Sequence, residues 1–221
     1  MTIYKNIVVL TGAGISAESG IKTFRGDDGL WEGHRIEDVA TPQAFALNPK
    51  LVHEFYNLRR RQLKEVTPNV AHEALANFEK DFDGNFLIVT QNVDDLHERA
   101  GSQNLIHMHG ELLKARHIET YEVIKCEEDL SVESKYRPHI VWFGEMPFQM
   151  NEIEKALREC DLFISIGTSG QVYPAAGFVQ MVPSNCRKVE FNIDQTSISN
   201  LFDEHIIGSA VTSVEKFLKS L

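Results

Sequence analysis

The sequence predicts an α/β fold in which a mostly parallel sheet is covered by helices on both faces. Three observations carry that expectation. Short apolar runs rich in Val, Ile and Phe recur at residues 7–10, 86–89, 162–166 and 189–193, each too short for a helix. Helix-patterned stretches separate them, the alternation expected of a sheet with both faces buried. Each run also ends in a small or polar cluster: Thr11-Gly12-Ala13-Gly14, Thr90-Gln91-Asn92-Val93-Asp94-Asp95, Gly167-Thr168-Ser169-Gly170 and Asn192-Ile193-Asp194. Ligands of open α/β sheets bind outside the carboxyl ends of the strands, so four such clusters mark a binding site better than they mark mere strand ends.

The first strand feeds Gly12-Ala13-Gly14-Ile15-Ser16. A Gly-x-Gly turn here brings backbone N–H groups close to a pyrophosphate at the positive end of the next helix. The motif alone is weak and rests on its context. A dehydrogenase would show a second strand and a ribose-binding acid ~20 residues on. Instead, Phe24-Arg25-Gly26-Asp27-Asp28-Gly29-Leu30-Trp31 is glycine-rich and does not alternate, so it reads as a functional loop over a nucleotide. Residues 49–64 are patterned as an amphipathic helix with Leu51, Val52, Phe55, Leu58 and Leu63 toward the core. Tyr56 and Arg59 are spaced i, i+3 on it and share a face. Helices are further expected over 70–82, 151–159 and 174–181. A last one, capped by Thr212 or Ser213, would carry Val214, Phe217 and Leu218 inward.

The chain has 221 residues, 43% of them hydrophobic, enough for one large domain or a domain with a small insert. Its net charge of -10 argues against general nucleic-acid binding. The three scattered cysteines, Cys126, Cys160 and Cys186, suit reduced thiols in the cytoplasm better than a disulfide framework. The first residues lack the basic-then-apolar layout of a signal peptide, and no apolar run reaches the ~18–20 residues of a membrane span.

Several motifs stand in one order along the chain. They are Gly12-Ala13-Gly14-Ile15-Ser16, Gly20-Ile21, Phe24-Arg25-Gly26, Gly29-Leu30-Trp31, Thr90-Gln91-Asn92-Val93-Asp94, His109-Gly110, Val141-Trp142-Phe143-Gly144-Glu145, Gly167-Thr168-Ser169 and Asn192. In that order the chain resembles the sirtuins, NAD-dependent protein lysine deacylases, over nearly its whole length. The resemblance implies one catalytic domain: a Rossmann-like parallel sheet with helices on both faces over about 1–30, 70–110 and 140–221, plus a small reduced insert module from about 31–69 and 111–139. NAD and an acyl-lysine protein or peptide would meet between them. The acyl group would pass to ADP-ribose with release of nicotinamide.

Residue by residue, the resemblance makes His109 the general base, a role imidazole suits near neutral pH, with His107 as its neighbour. The resemblance likewise makes Asn92 and Asp94 catalytic and cofactor-binding residues. Gly12, Ala13, Gly14 and Ser16 resemble the phosphate-cradling turn, and Phe24, Arg25 and Trp31 the cofactor loop. Gln91 and Asn92 resemble ribose contacts, Val93 a further cofactor-site residue, and Asp94 the partner of the nicotinamide amide. Gly167, Thr168, Ser169, Asn192, Asp194 and Ala210 complete the NAD site. Val141, Trp142, Phe143, Gly144 and Glu145 resemble the strand that pairs with the substrate peptide. Tyr56 and Arg59 match the Tyr-x-x-Arg of the subgroup that removes acidic acyl groups, since a guanidinium and a phenol can hold a distal carboxylate in an apolar tunnel.

The zinc module departs from the family. Residues 111–138 contain no Cys-x-x-Cys pair. His117, Cys126, Glu127 and His139 lack the paired spacing of a structural site, so the sequence argues against zinc and for a small apolar packing of Ile118, Tyr121, Val123, Ile124, Leu130 and Tyr136. Two other readings remain at this stage. One is an NAD hydrolase or ADP-ribosyltransferase on the same fold, which the intact residues 141–145 with Tyr56 and Arg59 disfavour. The other is a non-catalytic NAD-binding module, which His109, Asn92 and Asp94 disfavour. Oligomeric state is not legible.

Overall fold

The computed structural model describes residues 4–22 and 31–221. Phe24 and Arg25 lie outside the described residues. The strands are β1 (Asn6–Thr11), β2 (Asn85–Thr90), β3 (Leu105–His107), β4 (Gly110–His117), β5 (Val123–Lys125), β6 (Tyr136–Ile140), β7 (Leu162–Ile166), β8 (Arg187–Asn192) and β9 (Glu204–Ile207). The helices are α1 (Ala13–Ser16), α2 (Ile36–Val39), α3 (Pro42–Leu47), α4 (Pro49–Leu63), α5 (Val70–Asp81), α6 (Leu96–Ala100), α7 (Met150–Glu159) and α8 (Ala210–Leu218).

Six strands form a parallel sheet in the order β3-β2-β1-β7-β8-β9. The strand order reverses between β1 and β7, where open sheets of this kind leave a ligand crevice. Strand residues alternate between two apolar layers. Ile7 and Val9 pack with Leu75 of α5 and Val214 and Phe217 of α8. Val8, Leu10 and Phe163 pack with Ile153 and Leu157 of α7 and with Phe178. Helices on both faces of a parallel sheet are thus what the sequence pattern required.

A second, antiparallel sheet has the order β5-β4-β6. It packs against α4, and this unit has its own core, in which Val52, Phe55 and Tyr56 meet Leu112, Ile140 and Trp142. A buried polar brace ties α4 to the segment after β5. Arg60, fully buried, donates from Nε to the Leu112 carbonyl at 3.1 Å and from Nη1 to Asn57 Oδ1 at 2.6 Å. Asn57 in turn donates from Nδ2 to the Leu130 carbonyl and accepts the Leu130 N–H.

Five local expectations need correction. Leu58 is 43% exposed, because the buried stripe of α4 runs through Val52, Phe55, Tyr56, Arg60 and Leu63 and Leu58 falls off its phase. The last helix starts earlier than Thr212 or Ser213 imply. Ser209 is its N-cap, accepting the Val211 N–H, and both hydroxyls donate back to the Ser209 carbonyl. Residues 174–181 form a 3₁₀ segment over Ala175–Gln180 rather than an α-helix, with Ala175, Phe178 and Val179 in the core on that face of the sheet. The strand before Asp194 ends at Asn192, not Ile193; Ile193 is exposed. Finally, Ile118, Tyr121, Val123 and Ile124 are exposed, and of the module's expected apolar set only Leu130 is buried. β5 is a three-residue edge strand with no layer outside it among the described residues, so its side chains find no described partner to pack against. The module is held from the α4 side instead.

Candidate active site

The carboxyl ends of β1, β2, β7 and β8 open into one cavity of about 560 Å³, within the usual size of a cofactor site. The turn after β1 supplies Gly12, Ala13 and Gly14 to its wall, and the turn after β7 supplies Gly167, Thr168 and Ser169. These two turns touch backbone to backbone. A Cβ on Gly14 would lie 2.6 Å from Gly167 Cα, and Gly167 has φ +62°. Only glycine at both positions allows that approach. Asn192 secures the second turn by donating from Nδ2 to the Thr168 carbonyl at 2.7 Å, and Asn192, Asp194 and Ala210 line the far end of the cavity.

The stretch after β2 is fixed from beneath. Ser16 is fully buried and does not reach the cavity wall. Its hydroxyl donates to Asp94 Oδ2 at 3.1 Å and accepts from Asn92 Nδ2 at 3.2 Å. Asn92 Nδ2 also reaches the Gly12 carbonyl, and Asp94 Oδ1 accepts the Leu96 N–H. Ser16 therefore lies behind the wall, where its hydroxyl holds Asn92 and Asp94 in place. Both of those residues, with Gln91 and Val93, are on the wall. Burial pushes the Asp94 carboxyl up to about 6, against the pull of its Leu96 and Ser16 hydrogen bonds.

His109, between β3 and β4, also lines the cavity. Its Nδ1 lies 3.2 Å from the Gln91 carbonyl oxygen. A carbonyl only accepts, so Nδ1 carries the proton and Nε2 keeps a free lone pair. Burial lowers the His109 pKa, with the Gln91 carbonyl opposing, and the neutral imidazole is the form present at pH 7. His107 is not its equivalent. It faces away from the cavity, with Nδ1 3.2 Å from the Asn92 carbonyl and Nε2 2.6 Å from Glu98 Oε1. Burial alone would lower its pKa, but the Glu98 hydrogen bond and charge outweigh that and raise it, and both of its ring nitrogens face protein acceptors.

The other end of the cavity is aromatic. Trp31, Tyr56, Trp142 and Phe143 reach its wall. Residues 141–145 are not a strand of the sheet, for β6 stops at Ile140. Beyond it the Val141 N–H turns to the His109 carbonyl and the Phe143 N–H to the Ala40 carbonyl. Glu145 closes the segment by accepting the Trp142 N–H and a two-armed contact from Arg137 at 2.7 and 2.9 Å. The Arg137 guanidinium sits 3.3 Å from the Trp142 ring centroid, and the Trp142 indole N–H donates to the Tyr56 hydroxyl at 2.9 Å. Tyr56 thereby accepts from Trp142 and keeps its own hydrogen to offer elsewhere. Burial holds its pKa well above the usual phenol value, so it stays a neutral donor.

Arg59 sits one turn from Tyr56, over the Phe55 ring at 4.5 Å, and is not on the cavity wall as described. Its Nε and Nη1 are buried with no hydrogen-bond partner among the described residues. Burial lowers its pKa, against the opposing charge of Glu32 and the Tyr56 phenol.

Sequence reasoning missed part of the wall: Lys22, Gln171, Tyr173 and Gln195, Thr196 and Ser197. The 73% exposure of Tyr173 beside a cleft is a signal only the structure provides. The segment 195–197 is anchored from β8, where buried Glu190 accepts the Thr196 and Ser199 hydroxyls and faces His205 Nδ1. Among the described residues, no three of His117, Cys126, Glu127 and His139 gather at ligating distance. Glu98, His107 and Glu111 do gather, as the pairs His107–Glu98 and Lys114–Glu111.

The residues present fit a dinucleotide. Two glycine turns meet where the strand order reverses, amide and carboxylate groups are held at fixed aim by Ser16, and further polar groups lie at the far end. Known proteins agree with this geometry. Residues 12–174 match the model of the Sir2 family. An NAD-dependent protein deacylase of Bdellovibrio bacteriovorus is 56% identical over an alignment covering 99% of this chain and 97% of its own. Another, from Vibrio parahaemolyticus, is 54% identical with 99% and 95% covered. A solved Sir2 homologue–NAD complex has a TM-score of 0.90 at 38% identity, covering 98% of this chain and 89% of its own. A Sir2–p53 peptide–NAD⁺ complex has a TM-score of 0.81 at 27% identity, with 98% and 93% covered. The chain therefore belongs to the Sir2 family.

Proposed function

We infer that the protein is an NAD-dependent protein lysine deacylase, and we propose that it prefers acidic acyl groups such as succinyl. The deacylase reading rests on close relatives of that name along the whole chain and on the cavity that joins a dinucleotide-shaped end to an aromatic one. Bound NAD supplies an electrophilic ribose carbon when nicotinamide leaves, and ADP-ribose becomes the acyl acceptor.

The roles of the chain's own groups follow from their geometry. The Gly12–Gly14 and Gly167 turns present backbone to the phosphates. Asp94, held by Ser16, offers a carboxylate to the nicotinamide end. His109 accepts a hydroxyl proton at Nε2, because its Nδ1–H is committed to Gln91. Residues 141–145, clamped by Arg137 and Glu145, lie alongside an extended substrate peptide. Trp31, Tyr56 and Trp142 shut water from the acyl chain.

A single observation carries the acyl preference: two buried Arg59 donors with no partner among the described residues, beside a Tyr56 hydroxyl that accepts from Trp142 and donates to no described residue. A distal carboxylate supplies the acceptors both groups lack. The alternative of an NAD hydrolase loses support because that aromatic end would then serve nothing. The test is NAD turnover with matched acetyl- and succinyl-lysine peptides, with nicotinamide quantified. Nicotinamide release that does not depend on peptide would overturn deacylation, and a higher kcat/KM for acetyl-lysine would overturn the preference.

The pH profile has a defined acid limb. The working forms are neutral His109, with its pKa lowered, and ionised Asp94, with a pKa of about 6. Both are present above about pH 6.5 and both are lost as pH falls. kcat/KM should therefore be flat through neutrality and fall below about pH 6.5. An acid limb centred at or above pH 7 would contradict these assignments.

We further propose that the module holds without zinc, through the Arg60–Asn57 brace. Arg60→Met removes the bonds to the Leu112 carbonyl and to Asn57 Oδ1, which then keeps the Leu130 N–H, and should cost about 2–4 kcal/mol, measured by denaturant unfolding. Chelator should leave wild-type unfolding unchanged. About one zinc per chain by elemental analysis, or a chelator-sensitive midpoint, would refute this.

A further inference from the structure

Two nucleophilic side chains lie outside everything the reaction uses. Cys160 ends α7 and Cys186 precedes β8, and both are 2% exposed. Their sulfurs stand 3.8 Å apart, sharing a weak hydrogen bond. The strands they introduce are parallel neighbours, Leu162 pairing with Arg187 and the Arg187 N–H bonding the Asp161 carbonyl, so the two cysteines face each other across one strand gap, a separation a disulfide spans. We propose that Cys160 and Cys186 are a dithiol site that peroxide oxidises to an intramolecular disulfide, locking β7 to β8 while leaving the active site competent.

Cys186 is the attacking residue. It sits directly behind the surface turn of Ser184 and Asn185, both exposed, and its N–H closes that turn on the Pro183 carbonyl. The hydrogen bond with Cys160 lowers the Cys186 pKa, against the effect of burial, and the thiolate is the reactive form. Cys160 lies deeper, with its Sγ 3.1 Å from the Leu162 carbonyl, in the resolving position.

The steps balance. Cys186 loses its proton to give the thiolate, which attacks one peroxide oxygen; the O–O bond breaks, and the departing hydroxide takes up the released proton to leave as water. The Cys160 sulfur then attacks the sulfenic sulfur of Cys186. The S–O bond breaks, and the second hydroxide carries off the Cys160 proton as water. Two thiols are oxidised by two electrons and one peroxide is reduced to two waters. A small thiol reverses the change by exchange. Both sulfurs lie at the amino ends of β7 and β8, whereas the cavity lies at their carboxyl ends, so the link braces the sheet and does not enter the site.

The full-length protein, treated with hydrogen peroxide and then unfolded with its free thiols blocked, tests this. Expected are a mass loss of about 2 Da before blocking, a fall from three reactive thiols to one, and a proteolytic peptide linking Cys160 to Cys186. A Tm rise of about 5–10 °C, reversed by dithiothreitol, and turnover within about twofold of the reduced enzyme are also expected. Cys186→Ser should abolish the 2 Da loss. Should that variant not fold, the linked-peptide map of the wild type decides alone. Three thiols persisting, sulfinic acid on Cys186 without a link, a link through Cys126, or turnover falling in step with cross-linking would each overturn the proposal.

Discussion

Replacing His109 with alanine is expected to lower deacylation turnover by about 10²–10⁴-fold, the usual contribution of a positioned general base, while NAD affinity changes little. The reason is in the ring's two nitrogens. Nδ1–H is spent on the Gln91 carbonyl, which orients the ring and leaves Nε2 as the only free proton acceptor it presents. That lone pair is already available at pH 7, because burial keeps the imidazole from protonating. The loss should therefore appear in kcat at saturating NAD and peptide, not in KM for NAD. Binding is carried instead by the glycine turns and by the stretch after β2. His109→Gln separates the base from its shape, since an amide can keep the Gln91 contact but cannot take a proton. It should be as inactive as the alanine variant. Near-normal turnover in either variant would remove His109 from the reaction. His107 would not replace it, because the Glu98 ion pair and the Asn92 carbonyl occupy both of its nitrogens.

How far the site could be read in advance depended on how local each signal was. The strand runs, the Gly12–Gly14 turn and the polar strand ends are each contained within a few residues, and a parallel sheet gathers strand carboxyl ends on one edge without further information. For that reason Gln91, Asn92, Asp94, Gly167, Thr168 and Asn192 all arrive at the cavity. What failed to show was the second layer. Nothing near Ser16 in sequence reveals that it supports Asn92 and Asp94, which are 76 and 78 residues away. The Trp142 hydrogen bond to Tyr56 spans 86 residues, and only it fixes which way the phenol donates. The module misled for the opposite reason. Its apolar residues look like a core in composition, but a three-residue edge strand offers no second layer to bury them, and a buried arginine, which composition would place at the surface, does the bracing.

The acyl preference has the sharper test. Arg59→Met is expected to lower kcat/KM for a succinyl-lysine peptide by about 10–100-fold and to leave the acetyl-lysine value nearly unchanged. A charge-assisted hydrogen bond is worth about 1.5–3 kcal/mol, and each 1.36 kcal/mol is a factor of ten in rate. The loss grows if the acyl carboxylate is then left desolvated and unpaired. Tyr56→Phe should act in the same direction and more weakly, since it removes one neutral donor. It also strands the Trp142 indole N–H that now bonds the phenol, so part of its cost will appear as stability rather than selectivity. Arg59→Met should behave differently in the absence of substrate. Nε and Nη1 of Arg59 are buried without partners among the described residues, and taking away a cation in that condition removes a desolvation cost while keeping an apolar stem against Phe55. The variant should therefore be no less stable than the wild type by thermal unfolding. That combination of retained stability, retained acetyl activity and lost succinyl activity is the signature of a residue reserved for the ligand. Equal losses on both acyl groups, or a lowered Tm, would make Arg59 a structural part of α4 and remove the ground for the acidic-acyl assignment.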